Sequence, residues 1–230
     1  GIIMAIAGDS HADAAWALSL WHGLLLYCVA AWGLQLRNQY LAVLGTFFVA
    51  IAPALLALRS DYLLEIPLTA GVTASLWRLG RWHHPQQGGT WRQLFIATIS
   101  FTAAILIKQS SLLILLPALL LIIVQTSLKN DSRRSKQLII GLCVGFLSIV
   151  PWLKHNWITT ISGTNRAVFE SATREGDPSL WSLENWIWYP RLIPDQLGHI
   201  FLIVGITGIT LFLIQKLVRS TLPKDSLHLD

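Results

Sequence analysis

Three charged residues interrupt an otherwise apolar sequence between residues 59 and 67. The segment RSDYLLEIP places Arg59, Asp61 and Glu65 between two apolar runs, at the start of a predicted transmembrane helix. An ionisable group at the hydrocarbon boundary is costly unless it is paired or hydrated, so such a cluster is a candidate functional site. A carboxylate in that position can orient or deprotonate a substrate, and a cation can stabilise negative charge. An alternative is a structural ion pair between Arg59 and Glu65 at a helix N-terminus.

Lys108 is a second candidate, because it interrupts a long apolar run. Residues 94–124 are apolar except for the segment LIKQSS at 106–111. This length exceeds what one membrane crossing needs, and a single helix would place Lys108 near the middle of the bilayer. We therefore predict two short spans that meet at Lys108. Its ammonium group either binds an anion or extends to the membrane interface to reach water.

The composition is that of an integral membrane protein. Of 230 residues, 53% are hydrophobic and only 13% are charged, and the mean hydropathy is +0.55. An ordinary soluble domain has more polar surface than this. The net charge of +5 is better explained by membrane topology than by nucleic-acid binding. Cys28 and Cys143 lie inside apolar runs and are interpreted as inert thiols.

The apolar runs predict an all-α, polytopic membrane protein with about seven spans. About 20 apolar residues are needed for each crossing, and shorter runs are interpreted as tilted or short spans. A hydrophilic connection, 154–197, is too long to be a simple turn and is predicted to be a functional loop. Residues 218–230 form a polar tail. The predicted spans are 15–36, 40–58, 62–79, 94–107, 110–125, 138–153 and 198–217.

Alternating loops then separate the charges onto two sides. One side carries eleven basic and three acidic residues, and the other carries six basic and nine acidic residues. Short basic loops are retained in the cytoplasm, so the acidic cluster, Lys108 and the loop 154–197 are predicted to face outward. The sequence thus predicts an integral protein of the plasma (inner) membrane with an extracytoplasmic functional face.

Aromatic residues are concentrated in the second half of the long loop. The segment SLWSLENWIWYPR contains Trp181, Trp186, Trp188 and Tyr189. Two interpretations remain open: an amphipathic segment lying on the membrane surface, or a wall that stacks against a sugar or an isoprenoid.

The order of these features resembles the polytopic GT-C glycosyltransferases, in particular the group that joins protein O-mannosyltransferases and lipid A aminoarabinose transferases. The resemblance covers roughly residues 19–157. It rests on three features in order. An apolar span ends near a proline and is followed by a basic or serine position; an acidic residue and a proline then stand at the start of a helix. The next apolar span ends in a break that contains a lysine, and another proline follows. The matching positions are Pro53, Arg59, Ser60, Glu65, Pro67, Lys108 and Pro117.

The resemblance implies an activity and a set of roles. Such enzymes transfer a sugar from a polyprenyl-phosphate donor to a protein or lipid acceptor on the extracytoplasmic side. Glu65, with Asp61, would be catalytic, and Lys108, with Arg59, would bind the donor phosphate. The four aromatic residues of the long loop would form a substrate surface. Membrane lipids are the other expected partners, and nucleic acid is not.

The chain also departs from the family pattern. The family's first span and first outer loop, which carry an essential acid, are not recognisable, although Asp9 and Asp13 lie in a polar segment near the start. We therefore expect the chain to lack an N-terminal part of the enzyme. A transporter and a noncatalytic membrane subunit remain alternative functions. No cofactor is indicated, no cluster has metal-ligand spacing, and a requirement for a divalent metal is left open.

Overall fold

The computed structural model describes residues 11–36, 38–60, 64–84, 89–129, 131–166, 176, 178 and 182–221. Within these residues the chain is helical and contains no strand, which confirms the predicted fold class. The helices are α1 (His11–Gln35), α2 (Gln39–Ile51), α3 (Pro53–Ser60), α4 (Glu65–His83), α5 (Trp91–Ile107), α6 (Ser111–Leu128), α7 (Ser132–Asn165), α8 (Leu183–Leu197) and α9 (His199–Thr221).

Not every helix meets the length of a membrane span. By length and composition, α1, α6 and α7 could each cross a membrane within the described residues, and the bent pair α8–α9 could form a fourth span. Helices α2 and α5 are apolar but shorter. The number of seven spans and their boundaries therefore remain predictions.

The chain reverses direction at Lys108, as predicted from the LIKQSS segment. Lys108 adopts an extended backbone conformation (φ −156°, ψ 124°) and ends α5, and α6 begins at Ser111. Helix α6 then runs back along α5. Leu115 packs near Ala104, and Ile122 belongs to the same buried cluster as Leu94. The two segments are thus antiparallel neighbours and not one kinked helix.

The helices form a bundle with two chemically different ends. At the basic end, α4 and α6 finish while α5 and α7 begin. The side chain of His83 contacts Gln125 there (Nε2 to Oε1, 2.8 Å), and Trp82 Nε1 donates to Gln137 Oε1 (3.3 Å). At the opposite end, which we call the Glu65 end, α4 begins and α5 finishes. The ends of α4 and α6 therefore lie at the same end of the bundle.

The first helices extend this arrangement. Helix α1 packs against α2 and α4. Trp77 of α4 donates from Nε1 to Gln35 Oε1 near the end of α1 (2.7 Å), which places the end of α1 toward the basic end. Gly33 lets α2 approach closely, because a Cβ atom there would lie 2.5 Å from the Cα of Ala42. Helix α2 then returns toward the Glu65 end.

Two helix boundaries differ from the sequence-based expectation. The sequence predicts one helical segment, 40–58, that accommodates Pro53, but the helix is interrupted at Ala52 (φ −58°, ψ 123°). A proline disfavours helical backbone angles in the residue before it, which accounts for the break. Conversely, α7 continues through Pro151 as far as Asn165, so the start of the segment predicted as a loop is helical.

Arg134 and Gln137 of α7 hold the end of α4 in place. Arg134 donates to the carbonyl oxygens of His83 (2.9 Å) and His84 (3.3 Å), and Gln137 donates to the carbonyl oxygen of Gly89 (3.0 Å). A cation at the end of a helix satisfies carbonyls that have no partner within the helix. Burial lowers the pKa of His83, which lies just beyond the predicted span.

This contact yields a stability prediction. Arg134→Gln removes two charge-assisted hydrogen bonds from a largely buried guanidinium, so the free energy of unfolding should fall by about 1.5–3 kcal/mol. Thermal unfolding of the purified protein in detergent measures the change. Arg133→Gln is the matched control, because Arg133 is exposed on the same turn of α7. Equal unfolding temperatures for the two variants would contradict a stabilising role for Arg134.

Candidate functional site

The two main candidate residues, Glu65 and Lys108, are brought together at the Glu65 end. Lys108 Nζ lies 2.5 Å from Glu65 Oε1, although the residues are 43 positions apart. Each helix supplies one partner at its terminus: Glu65 is the first residue of α4, and Lys108 follows the last residue of α5. The close packing of α4 on α5 makes this possible, since a Cβ atom added at Gly71 would lie only 3.2 Å from Ala104.

The ion pair is neither buried nor fully exposed. About a third of each side chain remains accessible: 39% for Lys108 and 33% for Glu65. The second carboxylate oxygen, Glu65 Oε2, is buried and has no hydrogen-bond partner among the described residues. An ammonium group has three N–H donors, so Lys108 can bind Glu65 and still donate to a second acceptor.

The sequence leaves an alternative open for each residue alone. One alternative pairs Glu65 with Arg59, whose side chain lies outside the description; the described partner of Glu65 is Lys108. The other extends Lys108 to the membrane interface, and its side chain remains 39% accessible beside Glu65. A pair with opposite charges lowers the cost of placing either group at membrane depth.

The other candidates of the charged segment are only partly described. Arg59 lies in the last turn of α3, and its side chain is outside the description. Asp61 lies outside the described residues. Both positions adjoin the start of α4, so their proposed roles remain predictions.

The aromatic candidates lie on or beside α8, which packs against α3. Trp186 is 75% exposed, and Trp188 is partly buried. Tyr189 belongs to the helix, but its side chain is outside the description, and Trp181 lies outside the described residues. The junction of α8 and α9 is close to α2 and α3: Phe201 contacts Phe48 edge-on, with ring centroids 4.8 Å apart. Helix α8, which carries Trp186 and Trp188, therefore lies toward the Glu65 end, and the two interpretations of the aromatic segment remain open.

An apolar groove between α5 and α7 was not anticipated from the sequence. It has a volume of about 440 Å³ and an almost entirely apolar lining. It extends from Gln109, next to Lys108, along both helices toward the basic end. Lining residues include Phe101, Ile105, Gln109, Gly145, Phe146 and Trp152. In the sequence, the one indication of this feature is the pair Gly141 and Gly145. Small residues four positions apart mark a helix face that packs closely on a neighbour, and both glycines line the groove. In the described residues, no group of three His, Cys, Asp or Glu side chains could hold a metal ion.

These features define a helical integral membrane protein with a charged pair at one end of its bundle and an apolar groove beside it. A family model described as dolichyl-phosphate-mannose-protein mannosyltransferase matches residues 1–155, well over half of the chain. The chain belongs to this family. It is therefore a membrane glycosyltransferase of the mannosyltransferase type that uses a polyprenyl-phosphate sugar donor, as the resemblance implied. Searches of curated proteins and of solved structures gave no significant match.

Proposed function

We propose that the protein transfers a sugar from a polyprenyl-phosphate donor to a protein or lipid acceptor on the extracytoplasmic side of the plasma membrane. The observation that carries this proposal is the contact between Glu65 and Lys108. A carboxylate and an ammonium, both partly accessible, meet at one end of the bundle. Sugar transfer from a lipid phosphate can use both groups, because a carboxylate can take the acceptor proton and an ammonium can stabilise the charge on the phosphate.

Lys108 is proposed to bind the donor phosphate. When the bond between the sugar and the phosphate breaks, negative charge develops on the phosphate, and a nearby ammonium stabilises it. The contact with Glu65 positions the ammonium without using all its donors. Arg59, at the end of α3, is proposed to add a second positive charge.

Glu65 is proposed to act on the acceptor. Its side chain is 33% accessible, so the carboxylate can accept the proton of an acceptor hydroxyl. Asp61, four residues earlier in the chain, is proposed to assist in orienting the acceptor.

The apolar groove supports the placement of the donor. It begins at Gln109, the residue after Lys108, so a lipid whose phosphate meets Lys108 can lay its isoprenoid chain along α5 and α7. Burial of apolar surface contributes roughly 25 cal/mol per Å² to such binding. The aromatic residues of α8 are proposed to contact the sugar or the acceptor at the same end.

Sidedness can be tested separately from activity. In a background in which Cys28 and Cys143 are replaced by alanine, single cysteines are introduced as Arg133→Cys and Glu184→Cys, both at exposed positions. Because short basic loops remain in the cytoplasm, an impermeant maleimide should label only position 184 in intact cells. Permeabilised cells provide the control, in which both positions should react. Labelling of position 133 in intact cells would refute the proposed orientation.

The function itself is tested by transfer of a labelled sugar. Membranes that contain the protein are incubated with polyprenyl-phosphate-linked labelled mannose, and the label is followed into protein and into glycolipid. We expect labelled mannose to appear in one of these two acceptor fractions, and only when the protein is present. Membranes without the protein are the control. Absence of transfer to both fractions, with the protein present at normal abundance, would contradict the proposal for this chain.

A further inference from the structure

A second charged site lies at the basic end, away from Glu65 and Lys108. An open cavity of about 430 Å³ separates the end of α4 from the start of α5. We call it the arginine cavity. Its lining residues are Arg78, Arg81, Thr90, Arg92, Gln93 and Ile96. Arg78 and Arg81 share a face of α4 because they are three residues apart, and Arg92 lies in the first turn of α5.

The positive charge of this cavity has no counterpart nearby in the sequence. No Asp or Glu occurs between Glu65 and Asp131, so Glu65 is the one carboxylate of α4, and neither α5 nor the segment that joins α4 to α5 contains any. Glu65 pairs with Lys108 at the other end, and Asp131 pairs with Arg134. Among the described residues, no carboxylate forms an ion pair with Arg78, Arg81 or Arg92. Three like charges around one cavity repel each other, and an anion between them relieves this repulsion.

One of the three guanidinium groups is held in position. The Cζ atom of Arg78 lies 3.8 Å from the centroid of the Trp77 ring, in cation–π geometry. Trp77 is itself buried and fixed by its hydrogen bond to Gln35 and by an edge contact with Tyr27. A guanidinium that is already positioned loses less conformational entropy when it binds a ligand.

Basic residues at this end could serve only to orient the protein in the membrane. That role does not require basic residues to surround a common cavity. Lys129, Arg133 and Lys136 are exposed at the same end and do not line the arginine cavity. The arginine cavity therefore calls for a further explanation.

The position and lining of the cavity indicate which anion it binds. Trp91, next to Arg92, is 49% exposed, and tryptophan is enriched at the level of lipid headgroups. Ile96 adds an apolar wall on the side that leads toward the centre of α5. Basic cavities between transmembrane helices on the cytoplasmic side are suited to anionic headgroups. We propose that the arginine cavity binds the phosphate of an anionic phospholipid from the leaflet that contacts the basic end.

The experiment compares two variants that lose the same charge. The full-length protein in detergent is titrated with phosphatidylglycerol, and bound lipid is measured by native mass spectrometry. The triple variant Arg78→Gln/Arg81→Gln/Arg92→Gln should bind phosphatidylglycerol at least about tenfold more weakly. Each basic residue close to an anionic lipid adds to the binding affinity, and this variant lacks three of them. The control Lys129→Gln/Arg133→Gln/Lys136→Gln removes three charges from the same end and should lose less than about threefold.

A double variant controls for misfolding, and a second lipid controls for recognition of the charge. The double variant Arg81→Gln/Arg92→Gln preserves the stacking of Arg78 on Trp77, and it should still bind about fivefold more weakly than the unmodified protein. It replaces the triple variant if thermal unfolding shows that the latter is misfolded. Phosphatidylcholine should bind the unmodified protein at least about tenfold more weakly than phosphatidylglycerol, because it carries no net charge.

Three outcomes would overturn the proposal. Equal losses in the arginine-cavity and control variants would show a diffuse charge effect. Equal binding of phosphatidylcholine would show that the anion is not recognised. Displacement of phosphatidylglycerol by millimolar inorganic phosphate would assign the cavity to a soluble phosphate compound. None of these measurements uses sugar transfer, so they do not depend on the proposed enzymatic function.

Discussion

Glu65→Gln is expected to lower the rate of sugar transfer by roughly a hundredfold or more, because loss of a general base typically has this effect. Glutamine keeps the size of the side chain, and its amide oxygen can still accept a hydrogen bond from Lys108. What it loses is the negative charge and the ability to take a proton from the acceptor. Donor affinity should therefore change little. Initial rates and donor affinity, measured on the same membrane preparation, separate the two effects.

Glu184→Gln is the matched control for this variant. Glu184 is an exposed carboxylate in the first turn of α8. Its substitution removes the same charge without touching Lys108, and the transfer rate should remain within about twofold of the unmodified protein. If Glu65→Gln accumulates normally and transfers sugar at an undiminished rate, Glu65 is not catalytic.

Lys108→Met is expected to weaken donor binding by roughly ten- to a hundredfold. A hydrogen bond to a charged group contributes about 1.5–3 kcal/mol, and each 1.4 kcal/mol corresponds to a factor of about ten. Methionine keeps much of the side-chain length but cannot bind phosphate. The measurement is the affinity for the polyprenyl-phosphate donor, with Lys154→Met as the control, since Lys154 is exposed on the part of α7 beyond the predicted span.

The ion pair requires a second variant to distinguish function from folding. Lys108→Met leaves the Glu65 carboxylate without its partner, which can destabilise the protein. The double variant Glu65→Gln/Lys108→Met removes both charges, so its abundance should recover toward that of the unmodified protein. Its donor affinity should remain low. Recovery of donor affinity together with abundance would show that Lys108 acts only through the fold.

The features that could be predicted from the sequence are those that depend on local composition. The reversal at Lys108 followed from one polar segment in a long apolar run, because a lysine in mid-membrane is costly. The all-α architecture followed from the apolar runs in the same way. The break at Ala52 was also encoded locally, in the proline that follows it, although 40–58 was predicted as one continuous span. Pro151, by contrast, is accommodated within α7, so proline alone does not determine where a helix ends.

The contact between Glu65 and Lys108 could not be predicted in this way. Both residues stand out as candidates in the sequence, but local patterns relate each of them only to neighbours along the chain or to solvent. Their meeting depends on the packing of α4 against α5, with Ala104 facing Gly71, and this is a property of tertiary structure. The apolar groove and the arginine cavity depend on packing for the same reason.

The distance between Glu65 and Lys108 along the chain also bears on how the protein enters the membrane. The two residues are 43 positions apart, so Glu65 is synthesised well before Lys108. On the proposed topology, Lys108 at the tip of the α5–α6 hairpin has to cross the hydrocarbon core, where a lysine without a counter-charge is costly. An α4 that is already in place offers this lysine a counter-charge as the α5–α6 hairpin arrives. This order of synthesis predicts that removing the carboxylate of Glu65 lowers the yield of inserted protein as well as the rate of transfer.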